Sequence, residues 1–133
     1  MLKDDLYTIG EIKREGTSLK AAIHLDQAHI LYQGHFPDQP VVPGACLLQI
    51  IIELAALATG KDWQLSKAAT MKFLTLLDPR QTPVLQAELT MHHPDDDTLE
   101  VSATLLKETI PCFKFKGSFR PAAGTIDPLH SPA

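Results

Sequence analysis

Gly34-His35-Phe36-Pro37-Asp38-Gln39-Pro40-Val41-Val42-Pro43-Gly44-Ala45-Cys46-Leu47-Leu48-Gln49 is the stretch that decides the fold of this chain. Pro37, Pro40 and Pro43 fix backbone angles and remove N–H donors, which predicts a stiff loop around His35. The Pro43-Gly44 step then launches a helix expected to run from Gly44 to about Thr59, closed by Gly60. That helix is apolar nearly all the way round, and its first polar side chain is Gln49. A helix of this kind is buried on most of its sides rather than laid on a surface.

The segments on either side predict what covers it. Leu6 to Arg14 has mixed polarity and suits a short strand, and Glu15-Gly16-Thr17 is a turn signal. From Ser18 to Leu25 residues alternate, with Leu19, Ala21, Ile23 and Leu25 on one face. A second short extended piece is expected from Ala28 to Tyr32. After the helix come four predicted strands, Leu65 to Leu76, Val84 to His92, Leu99 to Lys107 and Cys112 to Phe119. Turns at Asp78-Pro79, Pro94 to Asp97 and Thr109 to Pro111 separate them. Strands, one long helix and a run of strands predict an α+β fold, an antiparallel sheet wrapped around a central helix. One sheet covers only one side of a helix, and a small sheet leaves an edge unpaired. Both points predict a dimer in which two sheets join. Residues 1–119 are expected to form one domain, with residues 120–133, rich in Pro, Ala and Gly, as a flexible tail.

Bulk composition narrows the class. The 133 residues are enough for one domain with a real core, and 44% hydrophobic with 21% charged residues is ordinary for a soluble globular protein. A net charge of −4 argues against a general nucleic-acid binder. Cys46 and Cys112 are too few for a disulfide framework and read as small buried hydrophobes. The first residues lack the apolar core of a signal peptide. The apolar run Ala45 to Ala58 falls short of the roughly 20 residues a membrane span needs. A cytoplasmic, non-membrane protein is the expectation.

Three features carry chemistry. His35 sits in a braced loop just before a helix start, and an imidazole titrating at about pH 6.5 suits proton transfer near neutrality. Pro43 suits the first helical turn, and Val42 before it has no side chain able to cap. The first N–H groups are then left either to water or another loop, or to an oxygen of a substrate at the positive helix end. Gln49 and Glu53, four apart, share a helix face. Gln49 reads as a site residue, Glu53 as a residue that reaches solvent or pairs with a lysine. His24, His29, His92, His93 and His130 form no metal pattern, and no metal or cofactor is expected. Gly-rich phosphate loops and Gly-x-Ser-x-Gly elbows are absent from the sequence.

At these residues the chain resembles the hot-dog-fold 3-hydroxyacyl-[acyl carrier protein] dehydratases. That family's pattern is Gly-His-Phe-Pro, two variable residues, Pro, two apolar residues, Pro-Gly, four apolar residues and an acid. GHFPDQPVVPGACLLQ matches it in register through the Pro-Gly step, and Met71-Lys72-Phe73 is similar to the strand after the family's helix. The resemblance runs from Ser18 to Phe119. It implies a homodimer, or a higher or hetero-oligomer, with sites at the interface. It also implies a substrate carried as a thioester on acyl carrier protein or coenzyme A. His35 would be the base at the carbon beside the thioester, and the N–H of Gly44 or a neighbour would hold the thioester oxygen. Position 49 of the partner helix would hold the acid that protonates the leaving hydroxyl. Phe36, Pro43, Gly44, Ala45, Glu53 and Phe73 would lie along the substrate.

The chain departs from that pattern twice. Its N-terminal lead lacks the Pro-His-Arg-Tyr-Pro-like segment that many dehydratases carry. Gln stands at position 49, where the family has Glu or Asp. An amide donates a hydrogen bond but delivers no proton near neutral pH. Glu53 lies about 6 Å further along the helix and would replace the acid only for a substrate one turn deeper. Three functions fit. One is a dehydratase in which His35 moves the proton both ways, helped by Gln49 or a water. Another is a hot-dog thioesterase or acyl-thioester-binding protein. The third is a subunit whose acid comes from a different hot-dog chain. An acidic carrier would dock on local cations, for which Lys67, Lys72, Arg80, Lys114, Lys116 and Arg120 are candidates.

Overall fold

The computed structural model describes residues 6–26 and 41–122. Its strands are β1 (Tyr7–Glu15), β2 (Ser18–Leu25), β3 (Trp63–Phe73), β4 (Val84–Asp95), β5 (Thr98–Lys107) and β6 (Ile110–Pro121), and its helix α1 spans Gly44–Thr59. The strands form one antiparallel sheet in the order β1-β2-β4-β5-β6-β3. Period-2 alternation does the work. Leu19, Ala21, Ile23 and Leu25 of β2, Leu85, Ala87, Leu89 and Met91 of β4, and Leu99, Val101, Ala103 and Leu105 of β5 all point inward. The register aligns these inner rows, with Ile23 opposite Leu85 and Leu89 opposite Ala103. Phe113, Phe115 and Phe119 of β6 complete the floor on which α1 lies.

Helix α1 turns Cys46, Leu47, Ile50, Ile51, Glu53, Leu54 and Ala55 into this core. Its opposite side is less covered than the apolar sequence predicts: Ala45 and Leu57 are exposed, and Leu48, Gln49 and Ile52 are half-buried. The physical reason is that one sheet shields only one side of a helix. The helix ends at Gly60, whose φ of 73° is left-handed and whose N–H reaches the Ala56 carbonyl at 2.8 Å. Arg14 of β1 donates to the Ala58 carbonyl, placing a cation at the negative end of the helix. No described helix is long and apolar enough to cross a membrane. The arrangement is the hot-dog fold expected from the sequence.

The predicted strand boundaries shift in places. The strand expected to reach Leu76 stops at Phe73, because the chain leaves the sheet to let the Leu77 carbonyl accept from Val42 N–H at 2.8 Å. Strand β6 runs on to Pro121, pairing with Trp63 at the start of β3. The short piece predicted over 28–32 lies outside the described residues. Both cysteines are free and buried, and burial pushes both thiols above the usual thiol range.

Among the described residues strand β3 is an edge strand paired only with β6, with bulges between Leu65 and Lys67 and between Ala68 and Thr70. Gly117 makes that close approach possible. A Cβ there would stand 2.5 Å from the Lys67 carbonyl oxygen and 2.6 Å from Cζ of Phe115. The first of these is backbone and cannot swing aside. Gly117→Ala is therefore expected to lower stability by about 1–3 kcal/mol by prising β3 from β6. Urea unfolding together with amide exchange confined to β3 would show it; an unchanged midpoint would mean that β3 shifts without loss.

Candidate functional site

The site begins where the chain enters α1. Val42 is buried and tied to Leu77. Pro43 follows with φ −61° and ψ 145°, still extended. It is the N-cap rather than the first helical residue that the sequence suggested, since its carbonyl already accepts from Cys46 N–H at 2.9 Å and Leu47 N–H at 3.3 Å. The consequence anticipated from the sequence stands, because proline has no side-chain acceptor and no side chain caps the helix. The N–H groups of Gly44 and Ala45 have no acceptor among the described residues. The first turn carries no acidic residue to answer its positive end. Two adjacent donors at a helix start can hold a carbonyl oxygen or an oxyanion.

Phe73 forms the wall beside these donors. A Cβ at position 44 would stand 2.7 Å from Cε1 and 2.9 Å from Cζ of the Phe73 ring, so any larger residue there would push the ring aside. The ring is 55% exposed and backed by Phe113, with centroids 5.0 Å apart. The fold thus brings Pro43, Gly44, Ala45 and Phe73 together, although 29 residues separate Gly44 from Phe73 in the sequence. His35 and Phe36, expected to complete the site, lie outside the described residues.

Gln49 lies on the next turn, at the border between the open and covered sides of α1. Its Nε2 donates to Oε2 of Glu53 at 2.9 Å. Glu53 departs from expectation. It does not reach solvent, being 3% exposed. Its Oε1 accepts from the Tyr7 hydroxyl at 2.7 Å. The reason is geometric: position 53 faces the sheet along with Ile50 and Leu54, where a carboxylate must find donors or pay heavily in desolvation. Tyr7 was missed by reading the sequence, where it was only the start of a strand. A polar residue on the core stripe of α1 signals that a donor must face it, but not that the donor lies 46 residues away.

Among the candidate docking cations, Arg80 is engaged. Its Nη2 and Nε donate to Asp78 at 2.9 and 3.2 Å, and this guanidinium holds the Asp78 carboxyl below the usual range. Lys67, Lys72, Lys114, Lys116 and Arg120 stand exposed on the paired strands β3 and β6, with Lys72 directly opposite Lys114.

Comparison with known proteins follows this geometry. A family model described as ApeI-like, ApeI dehydratase, matches residues 11–104. The 3-hydroxyacyl-[acyl-carrier-protein] dehydratase FabZ of Cupriavidus metallidurans is 32% identical over 88 residues, which are 65% of this chain and 53% of that protein. The FabZ of Caulobacter sp. strain K31 is 30% identical over 88 residues, 65% of this chain and 48% of that protein. The chain thus spans about half the length of the curated relatives it matches. Among solved structures, the dehydratase heterocomplex ApeI:P from Xenorhabdus doucetiae superposes with a TM-score of 0.67 at 18% identity, covering 86% of this chain and 97% of that one. A mutant thioesterase from Pseudomonas aeruginosa gives a TM-score of 0.60 at 14% identity over 87% of this chain and 82% of that one. At such identities these two share the fold alone.

Proposed function

This chain belongs to the ApeI-like dehydratase family, and from that premise we propose that it dehydrates a 3-hydroxyacyl thioester held on acyl carrier protein, in the cytoplasm. The observation that carries the reading is the uncapped helix start, with the Gly44 and Ala45 N–H groups beside Phe73 and Gln49 one turn on. The thioester oxygen would lie on those N–H groups, which stabilise the enolate-like charge that builds as the carbon beside it loses its proton. His35 would take that proton. The C3–O bond then breaks, and the departing hydroxide takes a proton back from the His35 imidazolium to leave as water, with Gln49 on the helix of a second copy steering the hydroxyl. The products are an enoyl thioester and water, so no cofactor is consumed.

A homodimer suits this reading. Among the described residues β3 pairs on one edge only, and Phe73, Leu74 and Leu76, at and just after its end, are exposed, Leu76 at 83%. The exposed cations on β3 and β6 offer a local basic surface to an acidic carrier, on a chain whose net charge is −4.

One observation favours a second reading. Position 49 supplies no proton, and in this reading a different hot-dog chain brings an acid across the interface, as a subunit of a heterocomplex would. Purified protein incubated with a 3-hydroxyacyl thioester separates the possibilities. Enoyl absorbance without free thiol is the expected result. Free thiol would identify a thioesterase instead. Dehydration that appears only on adding a second hot-dog subunit would establish the heterocomplex.

A further inference from the structure

We propose that Glu53, held by Tyr7, is a positioning residue that locks the Gln49 amide with its oxygen turned towards the substrate, making position 49 a hydrogen-bond acceptor. This rests on the dehydratase reading and assigns roles inside that same site. The orientation follows from what each group can do. Gln49 presents Nε2 to the Glu53 carboxyl, donating to Oε2 at 2.9 Å. The other carboxylate oxygen is occupied by the Tyr7 hydroxyl at 2.7 Å, so Glu53 is held between sheet and helix. Oε1 of Gln49 then lies on the far side of the amide group. It has no partner among the described residues, and none of their buried side-chain polar atoms is left without one. Oε1 therefore opens on the half-buried side of α1, where Ala45, Leu48 and Ile52 also lie.

The consequence is chemical. An acceptor at this position binds the substrate's 3-hydroxyl through its O–H and aims it, while the second Nε2 hydrogen remains as a weaker donor. It also follows that replacing Gln49 by Glu does not simply restore an acid. A carboxylate at 49 would lose its donor role and face the Glu53 carboxylate at hydrogen-bond distance, where two carboxylates cannot both ionise. The exchange that keeps the bond is the double one. In Gln49→Glu with Glu53→Gln, the amide at 53 donates to the carboxylate at 49 and can accept from Tyr7.

Two measurements on the full chain test this, one of them independent of turnover. In nitrogen-15 spectra the Gln49 side-chain pair, identified by its loss in Gln49→Ala, should show one shifted, slowly exchanging proton. Glu53→Gln should abolish that signature. If the wild-type Gln49 pair instead behaves like those of the exposed Gln81 and Gln86, the lock does not exist. In turnover, Glu53→Gln should lower kcat about tenfold, the scale of a lost hydrogen bond to a charged group, with KM little changed. The double exchange should recover wild-type kcat or better. A kcat loss that tracks melting temperature and is not rescued would mean that Glu53 merely supports the fold, and would overturn the proposal. Should Glu53→Gln fail to fold, Tyr7→Phe loosens the same carboxylate and must weaken the Gln49 signature; an unaltered signature there also overturns it. Wild-type protein that shows the locked amide but no dehydration would remove the dehydratase reading and leave the lock standing.

Discussion

His35→Ala is expected to cut dehydration of a 3-hydroxyacyl thioester by about 10²–10⁴-fold, the usual worth of a positioned general acid–base. That is roughly 3–5 kcal/mol of barrier. The loss should sit at the top of that range because the two polar side chains that follow on α1 offer no ready substitute. Gln49 is an amide, and Glu53 is spoken for by Tyr7 and Gln49. Melting temperatures measured beside the rates separate lost chemistry from lost folding. His92→Ala, at an exposed position of β4, is the matched control and should turn over normally. Equal activity in His35→Ala and wild type would remove His35 from the mechanism.

The second large effect concerns stability and the site together. Phe113 is fully buried on β6, opposite Leu105 and Phe73. Phe113→Ala should cost about 3–5 kcal/mol, against a total stability of about 5–15 kcal/mol for a domain. Phe119, on the same strand and equally buried, should cost the same when cut to Ala. The two differ in what they support. The Phe113 ring backs Phe73, and Phe73 closes on Gly44, whereas the Phe119 ring meets Phe115. At a temperature where both variants are folded, Phe113→Ala should therefore lose more turnover per unit of lost stability. Urea midpoints measured beside steady-state rates decide this. Equal rates in the two variants would show that the wall beside the helix start is not part of the site.

The reading of local structure from sequence succeeded where the cause is local. Alternation in Ser18 to Leu25 produced β2 with the expected inward face, because a strand's side-chain period is 2 whatever it pairs with. The helix appeared from Gly44 to Thr59 with its glycine stop for the same reason. The uncapped helix start was legible too, since neither valine nor proline carries a capping oxygen. The end of β3 was not, because only contact with Val42 draws the chain away at Leu77.

The candidate site divides in the same way. Its residue types and their spacing along α1 are written in the chain, and with them the substitution of an amide for an acid at position 49. What that amide does depends on partners far away in sequence. Tyr7 reaches Glu53 only once β1 has been laid beside β2 and α1 has settled on the sheet. Phe73 meets Gly44 only because β3 pairs with β6 at the sheet's edge. The sequence by itself determined a histidine, an uncapped helix start and an amide on one short stretch. Only the tertiary structure turned Glu53 inward and set the direction of Gln49, because a buried carboxylate must be satisfied by whichever donors the packed core brings within reach.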